Sequence, residues 1–139
     1  MLVALLIGLA RPGGSAEPAA FKVVVNAQNP QSSMSRSSLS DIFLKKATRW
    51  PSGVAVAPVD QSATSGLRAA FSTRVHGKSL DAIQNYWQQQ IFSGRDTPPH
   101  VKASDAETMA FVRASPGAIG YVTEAAPLVD GVKILKITD

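Results

Sequence analysis

The sequence predicts an α/β domain whose mixed, mostly parallel sheet is flanked by helices. Short β-branched or apolar runs alternate along the chain with stretches whose apolar residues recur at helical spacing. Turn residues and helix caps separate these stretches, and no internal repeat or low-complexity tract interrupts them. A length of 139 residues fits one domain. Such a chain buries about two-thirds of the surface that it exposes when unfolded.

Five segments are predicted as strands, because each is a short apolar or alternating run that ends at turn or cap residues. In chain order they are residues 21–26, 54–59, 100–103, 118–122 and 132–137. Four segments are predicted as helices, because their apolar residues share one face and a Ser or Thr precedes them. Three of them have the apolar faces Leu39, Ile42 and Phe43 after Ser35 or Ser38; Leu67, Ala70, Phe71 and Val75; and Leu80, Ile83, Trp87 and Ile91 after Ser79. The fourth runs through Met109, Ala110 and Arg113 after the capping box Ser104-x-x-Glu107.

The first sixteen residues are interpreted as a signal peptide rather than part of the fold. Residues 2–10 form an apolar run too short to span a bilayer as a helix, and small residues precede Glu17. No basic residue precedes Leu2, so the leader is expected to be shortened at its start. A buried N-terminal helix is the alternative. We therefore expect a domain over residues 17–139 and a periplasmic or otherwise exported protein.

Composition excludes several function classes. The chain has no cysteine, which excludes disulfides, a catalytic thiol and a lipid anchor on cysteine. The net charge is +4, but the basic residues are scattered among acidic ones and form no continuous stripe, so no nucleic-acid partner is expected. No hydrolase, metalloprotease, phosphate-loop or dinucleotide motif occurs. We expect no catalytic residues, no metal site and no cofactor.

The most suggestive candidate site lies where the second predicted strand leads into a helix. Asp60 is followed by the hydroxyl residues Ser62, Thr64 and Ser65, and Arg68 comes one turn later. A helix start presents unpaired N–H groups, which favour an anion. Arg68 is positioned to lean back as a counter-charge. The alternative is that Asp60 or Ser62 only caps the helix.

Weaker candidates lie elsewhere in the chain. Asn26 ends the first strand and is predicted to face the same edge of the sheet as the candidate site, or to be only a turn residue. His76 and His100 are expected to be surface or loop residues. The aromatic pair Tyr86–Trp87 is expected in the core rather than in a stacking platform.

Three stretches together resemble the phosphate-binding proteins of ABC transporters. Residues 39–50 are similar to that family's segment L-x-D-I-F-x-G-x-x-T-x-W, and residues 115–122 contain PGAIGYV. Residues 60–64 stand where the family has its D-G-S-G-T phosphate loop. The resemblance implies one lobe of a type II periplasmic-binding-protein-like fold. It also implies that Asp60 accepts a proton from hydrogen phosphate, and that Ser62 and Thr64 donate to its oxygens.

The chain departs from the family pattern at this loop. Gln61 and Ala63 replace the two glycines, and Pro58 stands where an arginine is expected. The family folds as two lobes that close over the ligand, whereas this chain has room for one. We therefore expect weak phosphate or oxyanion binding, linked to ABC-type phosphate uptake. The alternatives are an envelope interaction or structural module that has lost its ligand, and an accessory to a sensor or transporter. An envelope protein or a second copy would then cover the open face.

Overall fold

The computed structural model describes residues 19–139. The predicted leader over residues 1–16, and the predicted domain start at residue 17, lie outside the described residues. Within residues 19–139 the strands are β1 (Phe21–Asn26), β2 (Ser33–Ser35), β3 (Ala57–Gln61), β4 (His100–Lys102), β5 (Ala118–Thr123), β6 (Val132–Ile134) and β7 (Lys136–Thr138). The α-helices of the same range are α1 (Arg36–Phe43), α2 (Gly66–Phe71), α3 (Leu80–Phe92) and α4 (Asp105–Ala114), and a π-helical turn (Ser72–His76) follows α2.

Five strands form the central sheet in the order β4-β3-β5-β1-β6. Strands β4, β3 and β5 are mutually parallel, whereas β1 runs antiparallel to both β5 and β6. Four of the five strands therefore point the same way, which confirms the predicted mixed and mostly parallel sheet. Strands β2 and β7 pair in parallel as a separate two-stranded ribbon.

Helices cover both faces of the sheet. Successive side chains of a strand point to opposite faces, so those of β1 enter two different cores. Val23 and Val25 of β1 pack into a core with residues of α1 and α2, whereas Val24 packs into a second core with Met109 and Val112 of α4. All of these side chains are buried. The run of three valines in β1 is thus explained by burial on both sides, as expected for a central strand.

The second predicted strand, residues 54–59, corresponds to β3, which begins three residues later than predicted. Residues 50–54 form a tight turn in which the N–H of Trp50 donates to the carbonyl of Val54 at 2.9 Å, and Ala55 makes only an isolated bridge to Arg49. Strand β3 therefore begins at Ala57. As a result Asp60, predicted in a loop, lies inside the strand opposite Val101 of β4.

The predicted C-terminal strand over residues 132–137 is two strands. β6 pairs with β1, and β7 pairs with β2 in the other sheet. Leu135, between them, is buried in the α1–α2 core. Burying this side chain turns the chain from one sheet to the next, which alternation along the sequence alone did not indicate.

Three helices begin at their predicted caps, and two other features of the helices differ from the prediction. Ser35, Ser79 and Ser104 each accept a bond from an amide in the first turn of their helix, which confirms those caps. The predicted helix through Val75 changes to a π-helical turn after Phe71. Ile91 was expected on the buried face of α3 but is exposed, because α3 extends beyond the core that holds its first two turns.

Gly117 closes the contact between the turn before β3 and the start of β5. A Cβ atom at this position would lie 1.9 Å from the carbonyl oxygen of Ala55. The Gly117 carbonyl accepts a bond of 2.9 Å from the indole N–H of Trp50. This close approach fixes where β3 enters the sheet, and hence where its last residues leave it.

Candidate functional site

The candidate site lies at the edge where β3, β4 and β5 end and β1 begins. Gln61 of β3 pairs with Lys102 of β4, and Thr123 of β5 pairs with Phe21 of β1. The backbone N–H of Ser62 donates to the carbonyl of Lys102 at 3.1 Å, which continues the β3–β4 pairing into the loop. In sheets of this kind ligands bind beyond the carboxyl ends of parallel strands. We call this the site edge.

The loop between β3 and α2, residues 62–65, carries the predicted hydroxyl groups. The hydroxyls of Ser62 and Thr64 lie 3.0 Å apart and bond to each other. Ser65 is the N-cap of α2, since its hydroxyl accepts from the N–H of Leu67 at 3.2 Å. The alternative that Asp60 or Ser62 caps this helix is therefore wrong. Ser62 and Thr64 keep their hydroxyls at the protein surface.

Asp60 and Arg68 meet beneath this loop. The Nε atom of Arg68 lies 3.7 Å from Oδ1 of Asp60, and its Nη1 donates to the carbonyl of Gln61 at 3.1 Å. Asp60 is 6% exposed and Arg68 is 8% exposed. Arg68 thus leans back as its position in the sequence suggests. Its charge is directed at Asp60 in the interior rather than at the loop surface.

The Tyr121 hydroxyl donates to the same Asp60 oxygen. Burial raises the pKa of Asp60, and Arg68 and the Tyr121 hydroxyl oppose this rise. Burial and the neighbouring Asp60 carboxylate also raise the pKa of Tyr121. Since Asp60 is held by two buried partners, its geometry supports a role in positioning β3 and α2. The resemblance implied proton acceptance from a ligand, which would require this carboxyl to reach the surface.

Gln61 links the strands of the site edge to α4. Its side-chain amide donates to Oδ1 of Asp105 at 2.8 Å and to the carbonyl of Tyr121 at 3.0 Å. Burial would raise the pKa of Asp105, but hydrogen bonds from Thr123 and Gln61 hold it below its ordinary value. Gln61, which stands at a glycine position of the resembled loop, therefore ties the loop to its neighbours. The site edge also carries the negative charge of Asp105.

Two site residues, Tyr121 and Gln61, were not predicted as such. Tyr121 lies in the PGAIGYV stretch, where it read as a core strand residue. Its ring stacks on Phe71 with centroids 4.0 Å apart, and Phe43 lies beside both rings, 4.7 Å from Phe71 and 5.9 Å from Tyr121. A tyrosine in an otherwise aliphatic strand needs a partner for its hydroxyl when buried. That requirement predicts a hydrogen-bond acceptor near Tyr121 but does not say which residue supplies it.

Asn26 lies at the opposite end of the sheet, so the expectation that it shares the site edge is wrong. β1 is antiparallel to β5, which places its last residue away from the carboxyl ends of β3 and β5. The Asn26 amide donates to the carbonyls of Val112 and Arg113 at 3.1 and 3.0 Å, and its Oδ1 accepts from the N–H of Gln28. It is a turn residue that anchors the end of α4.

The two histidines differ from each other. His100 is exposed, as expected, but His76 is half-buried, and its Nδ1 lies 2.7 Å from the hydroxyl of Ser40. Burial lowers the pKa of His76 to about 4, and the nearby charges of Lys78 and Lys46 add to this effect. The prediction of a surface histidine is therefore wrong for His76.

Tyr86 and Trp87 pack on Leu44, which confirms their predicted core role.

Within residues 19–139, no three His, Asp or Glu side chains converge as metal ligands would. In the same range, no helix combines the length and the apolar character that crossing a bilayer requires.

The profile of one protein family, described as PBP superfamily domain, matches residues 19–137. The chain belongs to the PBP superfamily. No curated protein sequence matches this PBP domain significantly. Among solved structures, an ABC-type phosphate transport receptor from Vibrio cholerae superposes with a TM-score of 0.67 at 21% identity. The alignment covers 86% of this chain and 47% of the receptor.

PstS from Borrelia burgdorferi superposes equally well, with a TM-score of 0.67 at 14% identity, over 86% of this chain and 47% of PstS. At these identities the likeness shows the fold. The PBP domain spans about half the length of the structures that it matches, which agrees with the predicted single lobe.

Proposed function

We propose that this PBP domain is an exported solute-binding lobe that contacts phosphate or a similar oxyanion weakly, in connection with ABC-type phosphate uptake. The observation that carries the proposal is the Ser62–Thr64 hydroxyl pair, which sits at the surface of the site edge at the start of α2. The fold shared with phosphate receptors supports phosphate as the first ligand to test. The apolar run that precedes residue 17 supports export.

The geometry limits how tightly an oxyanion binds. Three or four hydrogen bonds to a charged ligand contribute about 1.5–3 kcal/mol each, and association costs about 4–15 kcal/mol. Arg68 adds little, because Asp60 already neutralises its charge. Asp105 places a carboxylate on the same edge. We therefore expect a Kd of about 1 mM or weaker, near −4 kcal/mol.

A phosphate titration of the full chain, followed by ¹H–¹⁵N NMR in an oxyanion-free buffer, tests this proposal. We expect saturable shifts of the amides of residues 62–66 in the millimolar range. The double variant Ser62→Ala/Thr64→Val should remove them, because it deletes both surface hydroxyls and leaves the Asp60–Arg68 pair intact.

The matched control is Ser37→Ala/Thr97→Val, which removes two exposed hydroxyls far from the site edge and should bind phosphate like the parent chain. Sulfate serves as the competing tetrahedral anion. Shifts absent from residues 62–66 up to about 20 mM phosphate would exclude oxyanion binding by this chain. A submillimolar Kd would contradict the weak-binding estimate.

One observation favours a second candidate function, an envelope interaction module. Phe92 is 96% exposed at the end of α3, and Ile91 beside it is also exposed. Neighbouring exposed apolar side chains are characteristic of contact surfaces. This candidate predicts concentration-dependent association that light scattering detects and that Phe92→Ser abolishes, while phosphate has no effect on it. A monomer of unchanged mass at all concentrations would count against self-association.

A further inference from the structure

A cleft that includes none of residues 60–68 is bounded by β1, α1, the π-helical turn and the β6–β7 segment. Its volume is about 470 Å³, which is within the range of small-molecule sites, about 300–1,000 Å³. Phe21, Ile134 and Ile137 contribute apolar surface to it. Arg36, Arg74 and Lys136 also line it, and Asp139 is the one acidic residue that does so among residues 19–139. We call it the basic cleft.

The charges of the basic cleft exceed what its own acid neutralises. Arg36 forms an ion pair with the side chain of Asp139, in which the two side chains are 48% and 90% exposed. Among the described residues, neither Arg74 nor Lys136 makes an ion pair. The basic residues Arg74 and Lys136, together with Lys22, therefore line a cavity that also has apolar surface, an arrangement that favours a ligand carrying negative charge.

Two contacts orient the arginines. Nη1 of Arg36 donates to the carbonyl of Arg74 at 3.4 Å, which joins the start of α1 to the π-helical turn. The guanidinium carbon of Arg74 lies 5.6 Å from the centroid of the Phe21 ring, which is cation–π distance. The ring thereby holds one guanidinium beside the cleft, with apolar surface next to it.

The composition of the cleft indicates an organic carboxylate rather than an inorganic anion. Arg36 already pairs with a carboxylate of its own chain, and the planar guanidinium matches that group with two parallel N–H donors. An inorganic oxyanion would leave Phe21, Ile134 and Ile137 in contact with water. A ligand with a carboxylate and an apolar ring or chain satisfies both kinds of surface.

We propose that the basic cleft binds a small carboxylate with an apolar body, with Arg36 and Arg74 contacting the carboxylate and Phe21 contacting the apolar part. The side chain of Asp139 competes for Arg36 and is displaced when the ligand binds. This site goes beyond the proposed function, because it shares none of residues 60–68 with the site edge.

Benzoate is the probe, and its neutral analogue benzamide is the control ligand. In ¹H–¹⁵N NMR of the full chain, we expect benzoate to shift the amides of Phe21, Arg36, Arg74 and Lys136 saturably, and benzamide to leave them unchanged. Arg36→Gln should weaken benzoate binding about tenfold. Arg95→Gln removes an exposed arginine of another loop and should have no effect. Asp139→Asn should tighten binding, because it removes the internal competitor.

Three results would overturn the proposal. They are shifts that benzoate and benzamide produce equally, a Kd that Arg36→Gln leaves unchanged, and a Kd that Asp139→Asn leaves unchanged or weakens. Unfolding of Arg36→Gln is detected by its circular dichroism, and Arg74→Gln then provides the same comparison. The Ser62→Ala/Thr64→Val variant should bind benzoate normally. Loss of phosphate binding and loss of benzoate binding are thus separate outcomes.

Discussion

Replacing Arg68 with leucine should lower the free energy of unfolding by about 3–5 kcal/mol at neutral pH. Arg68 and Asp60 are both buried, and the change leaves the Asp60 carboxylate with only the Tyr121 hydroxyl and backbone as partners. An uncompensated buried charge is costly because the interior solvates it poorly. Urea denaturation followed by circular dichroism measures the loss.

This loss should depend on pH in a defined direction. Burial already raises the pKa of Asp60, and without Arg68 it rises further. The folded variant then binds a proton that the unfolded chain does not, so its stability increases as the pH falls toward the Asp60 pKa. The penalty should be smaller at about pH 5 than at about pH 8.

Two further variants make the result specific. Asp60→Asn/Arg68→Leu removes both charges and should recover part of the lost stability, because no buried charge remains. Arg95→Leu removes an exposed arginine and should change stability by less than about 0.5 kcal/mol. If the double variant is as unstable as Arg68→Leu at every pH, the cost arises from lost packing and not from the unpaired carboxylate.

Phe71→Ala should cost about 3–5 kcal/mol. Phe71 is buried against Tyr121, stacked at 4.0 Å, and Phe43 at 4.7 Å, and Phe21 and His76 also adjoin its ring, so truncation opens a cavity and removes four aromatic contacts. The matched control is Phe92→Ala, because Phe92 is almost fully exposed. Its effect should remain within about 0.5 kcal/mol. The denaturation midpoints of the two variants provide the comparison. Equal effects would contradict the assignment of Phe71 to the core.

Local patterns were sufficient to predict most of the fold. The caps Ser35, Ser79 and Ser104 and the valines of β1 act within a few residues of chain, where spacing along the sequence determines structure. The ribbon of β2 and β7 was missed, because it pairs residues 33–35 with residues 136–138 and each run is only three residues long. The π-helical turn likewise has no periodic signal.

The candidate site was predictable in part for the same reason. Asp60, Ser62, Thr64, Ser65 and Arg68 lie close together in sequence, and the structure keeps them close in space. Asn26 was misplaced because the direction of β1 depends on how the whole sheet is assembled. Tyr121 was missed because it meets Asp60 only through the pairing of distant strands. Residues joined by tertiary contacts carry no local signal.

The central antiparallel strand also determines the order in which this chain can fold. Val24 pairs with Gly120 on one side and Ile134 on the other, each roughly a hundred residues further along the chain. During synthesis β1 therefore emerges long before its partner strands β5 and β6. Until then its apolar run, Val23–Val25, has no strand to join and is the segment most exposed to aggregation or to capture by a chaperone.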